Sequence, residues 1–419
     1  MGAGHNRIHF GIVFISEESD QSSAGTAKET AMTACIVGWA HTAFGRLEGE
    51  TVESLITRVA RDALADAGIE PGEVDEIVLG HFNAGFSAQD FTASLVLQAA
   101  PELRFKRATR VENACATGSA AIHQGLNAIA AKRARTVLVV GVEKMTEVTG
   151  PAVGDILIKC SYVKEEGEIE GGFAGVFGRI AQSYFQRYGD KSDALARIAA
   201  KNHKNGAVNP LAQMQKDLGY DFCRTVSEKN PLVAGPLRRT DCSLVSDGAA
   251  AVVLTDVETA LTRDKAVVFR AAEHVNDYLP MSKRDITAFE GPEIAFKRAL
   301  ASAKVELDDL SFAEVHDCFT IAELLIYEAI GLAPKGQGDR AIMEGWTEKG
   351  GKLPINPSGG LKAKGHPIGA TGVSMHVLAA MQLTGTAGGI QVKDAKLAGV
   401  FNMGGAAVAN YASVLERLR

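Results

Sequence analysis

The 419-residue sequence has no long apolar run, no excess of basic residues and no paired-cysteine motif, and each absence removes a class of function. No stretch approaches the roughly 18 consecutive apolar residues that a membrane-spanning helix needs. Lys and Arg number 44 against 50 Asp and Glu, a formal net charge of -6. That balance lacks the basic excess of a nucleic-acid binder, while leaving room for a local cationic patch facing an anionic ligand. The six cysteines, Cys35, Cys115, Cys160, Cys223, Cys242 and Cys318, are scattered, with no CxxC pair and no Cys/His cluster at zinc-finger spacing. Cysteines this dispersed in a long chain do not make a disulfide framework, so reduced thiols and a cytoplasmic setting are expected. The sequence also lacks a P-loop, and no GxGxxG follows a strand and opens a helix. No metal and no resident cofactor are expected.

What remains is the composition of a soluble globular protein, 46% hydrophobic and 22% charged, long enough for two or three domain-sized units. Residues 1–31 hold a short apolar run, HFGIVFI, followed by a polar Ser/Glu/Thr stretch. The apolar run is too short for a convincing signal segment, and residues 1–31 are expected to be a disordered extension or the product of an upstream start codon. The final residues, Glu416 to Arg419, are not a peroxisomal address. In between, strand-like and helix-like segments alternate. TACIVGWA, VDEIVLGHF, Val137–Gly141 and Ala249–Leu254 read as strands, and Val52–Ala67 carries apolar residues at helical spacing and stops at Gly68. Such alternation argues for α/β layers.

Three faint echoes suggest two halves of one topology. Cys115-Ala116-Thr117-Gly118 opens a small-residue helix, and Ala370-Thr371-Gly372 opens another. Asp247-Gly248-Ala249 is echoed by Gly404-Gly405-Ala406, and VDEIVLGHF by LSFAEVHDCF. Three echoes in one order point to an internal duplication. The halves are expected at 32–265 and 266–419. The first holds an insertion of roughly 95 residues, about 150–240, of the kind that usually serves as a lid or binding surface.

Four segments carry candidate chemistry. Cys115 stands just before a helix start, where exposed N–H groups and the helix dipole favour a thiolate. His366, in Gly365-His366-Pro367-Ile368-Gly369, stands before the echoing helix start. If the halves pack about a pseudo-two-fold axis the two starts face each other and set a base beside a nucleophile. A strand-like run ends in His316-Asp317-Cys318, where ligands of α/β sheets bind. Gly404-Gly405 could offer a backbone N–H to an oxyanion, although taken alone the pair reads better as a tight turn.

Taken together, VENACATGSAA, VHDCF, NPSGGLKAKGHPIGATG and NMGGAA resemble the thiolase superfamily from Met32 to the end of the chain. The resemblance implies a thiolase fold, an α/β architecture with two similar βαβ-rich halves in a five-layered α/β/α/β/α core and an inserted loop domain that helps bind CoA. It implies acyl transfer on CoA thioesters through an acyl-Cys115 intermediate. His366 would be the base, His316 and His366 would face the enolate oxygen, and the N–H groups of Cys115 and Gly404 would hold the oxyanion. The family's usual C-terminal catalytic Cys is replaced here by Asn402-Met403-Gly404, and its NEAF by His316-Asp317-Cys318-Phe319, as in the sterol-carrier-protein type of thiolase. In that branch the second acid/base is expected to be Cys318. The segment Lys201-Asn202-His203-Lys204-Asn205 with Asn209-Pro210 is similar to the loop domain of the same branch. CoA and acyl-CoA would enter as substrates in fatty-acid or lipid metabolism, with Lys201, His203, Lys204, Arg238 and Arg239 as candidates for contacting CoA. A homodimer or homotetramer is expected, and related archaeal proteins work with partner proteins. Two other readings remain open at this stage. One is a decarboxylating condensing enzyme of the ketoacyl-synthase kind using Cys115, His316 and His366. The other is an acyl-CoA-binding subunit that depends on a partner.

Overall fold

The computed structural model describes residues 34–419. The expectation for residues 1–31 lies outside them. Nine strands join in one mixed sheet: β1 (Cys35–His41), β2 (Glu76–Gly80), β3 (Arg107–Val111), β4 (Thr136–Lys144), β7 (Asp247–Thr255), β8 (Val267–Asn276), β9 (Phe312–Val315), β10 (Leu397–Gly404) and β11 (Ala409–Arg417). A separate hairpin pairs β5 (Leu232–Ala234) with β6 (Leu237–Arg238). Strands β4 and β7 are buried along their whole length, as their apolar runs predict for a sheet covered on both faces.

The strand order is β3-β2-β4-β7-β1-β8-β11-β10-β9. Read outward from the β1–β8 junction, β1-β7-β4-β2 is matched by β8-β11-β10-β9. Strands β4 and β7 pair antiparallel, as do β10 and β11, while β2 runs parallel to β4 and β9 to β10. The duplication is therefore present in the topology, with β3 as an extra edge strand in the first half. Within the sheet the halves join where β1 pairs with β8, Cys35 with Val268 and Ile36 with Val267. The helices Thr117–Ala130 and Ile368–Leu383 lie against each other between the halves, and each contacts strands of both. Val52–Ala67 covers the outer face of one half and Glu290–Ala303 that of the other. These are the five layers.

The echo between Asp247-Gly248 and Gly404-Gly405 holds only in part. Asp247 begins β7, whereas Gly404 ends β10, and the tight turn from Gly405 to Val408 leads into β11. In the first half the corresponding β4-to-β7 connection is the long insertion. It is mostly helical, with Gly150–Leu157, Gly172–Tyr188, Ser192–Gly206 and Gly219–Arg224.

The Ala-Thr-Gly echo has a packing reason. A Cβ added at Gly118 would lie 2.7 Å from the backbone nitrogens of Gly372 and Val373, and one at Gly372 would lie 2.1 Å from that of Ser119. The two central helices cross glycine to glycine, so their backbones approach more closely than any side chain permits. This crossing sets the two helix starts side by side.

Candidate active site

Cys115 occupies the turn before the Thr117–Ala130 helix. Ala114, just ahead of it, has φ 48°, a left-handed conformation that costs a residue with a side chain and recurs at functional turns. Thr117 holds the turn: its Oγ1 accepts the Asn113 N–H at 2.8 Å and donates to the Ala114 carbonyl at 2.7 Å. His366 is held in the same manner. Its Nδ1 lies 2.7 Å from Thr371 Oγ1, whose hydroxyl donates to the Pro367 carbonyl at 2.9 Å. Having spent its proton there, Thr371 Oγ1 must accept from Nδ1–H, which leaves His366 Nε2 as an unprotonated base.

His316 takes the opposite tautomer. Asn402 accepts from Ser119 Oγ through Oδ1, so its Nδ2 donates to the Cys115 carbonyl at 3.2 Å and to His316 Nδ1 at 2.8 Å. Nδ1 is thus an acceptor and Nε2 carries the proton. Both imidazole Nε2 atoms are buried without a hydrogen-bond partner. The ligand-capable atoms of Cys115, His316 and His366 all lie within 4.8 Å of one another, and the two rings meet edge to face at 5.2 Å. One nitrogen can remove a proton from Cys115 and the other can donate to an oxygen held beside it.

The charge pattern agrees. The neighbouring Cys160 thiol, followed by the imidazoles of His316 and His366, holds the Cys115 thiol well below its ordinary range, against the opposing effect of burial. Burial pushes His316 down to about 4, so it stays neutral near pH 7. Burial first, then the negative Cys115 and Asp317, push Cys318 well above the usual thiol range. Cys318 is therefore a protonated thiol facing a thiolate, the state suited to giving a proton. Gly404 packs against the nucleophile turn, where an added Cβ would sit 2.5 Å from the Asn113 carbonyl.

Nothing in the sequence sets Cys160 apart from the other scattered cysteines. It lies in the short turn Ile158–Cys160 of the insertion, and a Cβ on Gly405 would come within 2.8 Å of its carbonyl. Its own thiol is raised well above the usual range, first by the adjacent Cys115 and then by burial. No local pattern marks it, because its partner is 45 positions away and the contact exists only once the insertion folds over the site.

The thiolase N-terminal domain family matches residues 34–258 and the thiolase C-terminal domain-like family matches 272–417. The chain belongs to the thiolase family. An acetyl-CoA acetyltransferase of Methanothermobacter thermautotrophicus is 36% identical over 373 residues, covering 88% of this chain and 96% of the relative. Bovine sterol carrier protein 2 is 34% identical over 390 residues, covering 88% of this chain and 69% of the relative. Among solved structures, the Ltp2–ChsH2(DUF35) aldolase has a TM-score of 0.79 at 23% identity, covering 93% of this chain and 99% of that one. Human mitochondrial 3-ketoacyl-CoA thiolase in complex with CoA has a TM-score of 0.69 at 18% identity, covering 92% and 98%.

In this thiolase a cavity of about 150 Å³ opens onto Cys115, Cys318 and His366, walled by apolar side chains including Leu157, Phe173 and Phe319. Three of the five residues expected to contact CoA lie elsewhere. Lys201 is buried, with Nζ bonded to Glu323 and to the Ile355 carbonyl. Arg238 is buried and spends its guanidinium on Asp241 and on the carbonyls of Arg224 and Ser192. His203 is buried, and burial lowers it to about 3, so it is a neutral interior residue. The Lys201 ammonium and the Arg238 guanidinium are thus committed to interior partners rather than to a phosphate. Lys204 and Arg239 are exposed, with the Lys204 ammonium 4.0 Å from Glu348. The HDCF cluster also divides: His316 and Cys318 face Cys115, whereas the Asp317 carboxylate turns to the N–H groups of Leu361 and Lys362 at 2.6 and 3.1 Å.

Proposed function

We propose that this thiolase transfers acyl groups between CoA thioesters through an acyl-Cys115 intermediate, by thiolysis of a 3-ketoacyl-CoA or by the reverse condensation. The observation that carries the reading is the pair of unpartnered Nε2 atoms of opposite tautomer beside a thiol held below its ordinary range. His366 Nε2 takes the Cys115 proton, and the thiolate attacks the 3-keto carbonyl. The resulting oxyanion is met by the N–H groups of Cys115 and Gly404. When the carbon–carbon bond breaks, its electron pair moves onto the α-carbon of the departing acetyl-CoA enolate, whose oxygen accepts from His316 Nε2–H. Cys318 gives its proton to that carbon, and its thiolate then takes the proton of incoming CoA. The CoA sulfur attacks the acyl-enzyme and Cys115 leaves as thiolate. Condensation runs these steps backward, with Cys318 removing the α-proton.

The similarity to proteins named acetyl-CoA acetyltransferase supports this substrate class. Cys318 beside Cys115 favours it over a decarboxylating Cys-His-His enzyme, which needs no second thiol base. We also propose that Cys115, His316 and His366 work without a resident metal and that the enzyme is cytoplasmic. The experiment is a spectrophotometric thiolysis assay with acetoacetyl-CoA and CoA. The parent should release acetyl-CoA, and Cys115→Ser should release none. Cys318→Ala should lose roughly 10²–10⁴-fold in turnover, the worth of one general acid–base group, and still acylate Cys115. Normal turnover in Cys318→Ala would remove Cys318 from the mechanism.

A further inference from the structure

The Ser192–Gly206 helix of the insertion carries the segment KNHKN, whose charged and amide groups look like ligand contacts but turn inward. Asn202 is fully buried. Its Nδ2 donates to Asp317 Oδ2 at 2.8 Å and to Glu323 Oε2 at 2.6 Å. Glu323 in turn accepts from Lys201 and, at 3.0 Å, from Asn356 Nδ2. Asp317 stands between His316 and Cys318. It is also the acceptor for the N–H groups of Leu361 and Lys362, in the stretch that leads to His366. Gly360 has φ 59°, and a Cβ there would sit 2.3 Å from Asp317 Oδ2, so the backbone can reach the carboxylate only as glycine. One buried carboxylate thus joins the turn bearing Cys318, the stretch running into His366 and the insertion.

The anchors on either side of Asp317 differ. His316 is fixed through its own ring by Asn402 Nδ2 at 2.8 Å. Cys318 is fixed through its backbone: its carbonyl accepts the Ser243 N–H at 2.8 Å, and the residue before it is Asp317. Loosening Asp317 therefore moves the Cys318 thiol more than the His316 ring. We infer that Asn202 is a positioning residue of the insertion, which through Asp317 sets the Cys318 thiol for proton transfer at the α-carbon while leaving acylation of Cys115 untouched. This rests on the roles proposed above for Cys115 and Cys318. It gives the KNHKN segment a task other than holding CoA.

The test compares two half-reactions in the parent, Asn202→Ala and Asn205→Ala. Acylation is read as the single-turnover mass gain of Cys115 from acetoacetyl-CoA, and proton transfer as deuterium uptake into the methyl group of acetyl-CoA in D₂O. Asn205 donates to the Asn356 carbonyl at 3.0 Å from the same helix without touching Asp317, so it reports loss of the helix's other anchoring with the Asp317 contact kept. Asn202→Ala should lower deuterium uptake by roughly a hundredfold, the effect of an ångström-scale misplacement, with acylation changed by less than about twofold. Asn205→Ala should leave the ratio of the two rates as in the parent. If Asn202→Ala does not accumulate as folded protein, Asn202→Ser, which keeps a short polar group, should show the same split to a lesser degree. Equal losses in both half-reactions, no loss in either, or the same split in Asn205→Ala would overturn the inference. A parent that neither acylates nor exchanges would instead overturn the proposed function, and the inference with it.

Discussion

At the residue scale, the chemistry depends on how four side chains divide protons among themselves. Two threonines in equivalent turns do parallel work: Thr117 braces the nucleophile turn and Thr371 fixes the His366 tautomer. The thiolate is the reactive form of cysteine, so lowering its pKa keeps it populated as pH falls. Alkylation of Cys115 by iodoacetamide should therefore stay fast below the ordinary thiol range and decline only at lower pH. Because the neighbouring Cys160 thiol is the largest cause of that lowering, Cys160→Ala should move the inflection upward. Coincident profiles for parent and variant would show that Cys160 does not act on the nucleophile. Cys115, His316, Cys318 and His366 were legible in the sequence because each stands in a short, unusual run of residues. Cys160 and Asn202 were not, since each acts across a long gap in the chain. Lys201 and Arg238 depart from the sequence expectation for a related reason. Charge in a sequence does not say whether a carboxylate is waiting in the interior, and Glu323 and Asp241 were waiting for these two.

At the element scale, the central event is the crossing of two glycine-bearing helices. Gly118→Ala puts a methyl group 2.7 Å from two backbone nitrogens of the facing helix, and backbone cannot rotate away as a side chain can. Urea unfolding should show a loss of about 1–3 kcal/mol, the usual cost of overpacking a core. The same variant should acylate more slowly, because Cys115 hangs from the start of that helix. A variant as stable and as reactive as the parent would show that the crossing is loose. The helix starts were readable in the Ala-Thr-Gly echo. The strand ends were less so. β4 runs three residues past its apolar core, through Val142 to Lys144, because the Glu143 carboxylate finds three backbone N–H donors, in Phe82, Asn83 and Gly369. Only the fold brings those donors together.

At the scale of the whole molecule, duplication explains the arrangement: two halves of like topology, with a helical insertion at the one connection where the second half makes a tight turn. The extra strand β3 lies at one end of the sheet, and Phe105, two residues before it, is 86% exposed. Among the described residues β3 pairs on one side only, and such an edge beside an exposed aromatic is the expected site for association with a second copy. A homodimer through this edge should run in solution at twice the 44.2 kDa chain mass, and Phe105→Asp should shift it toward the monomer. A parent that stays monomeric at high concentration would contradict this. The central claim, that Cys115 becomes acylated, is tested most directly by intact mass after mixing the protein with acetoacetyl-CoA. One acetyl group should appear on the parent, be discharged as acetyl-CoA when CoA is added, and be absent from Cys115→Ser. An adduct that persists in Cys115→Ser, or none on the parent with any acyl-CoA offered, would contradict it.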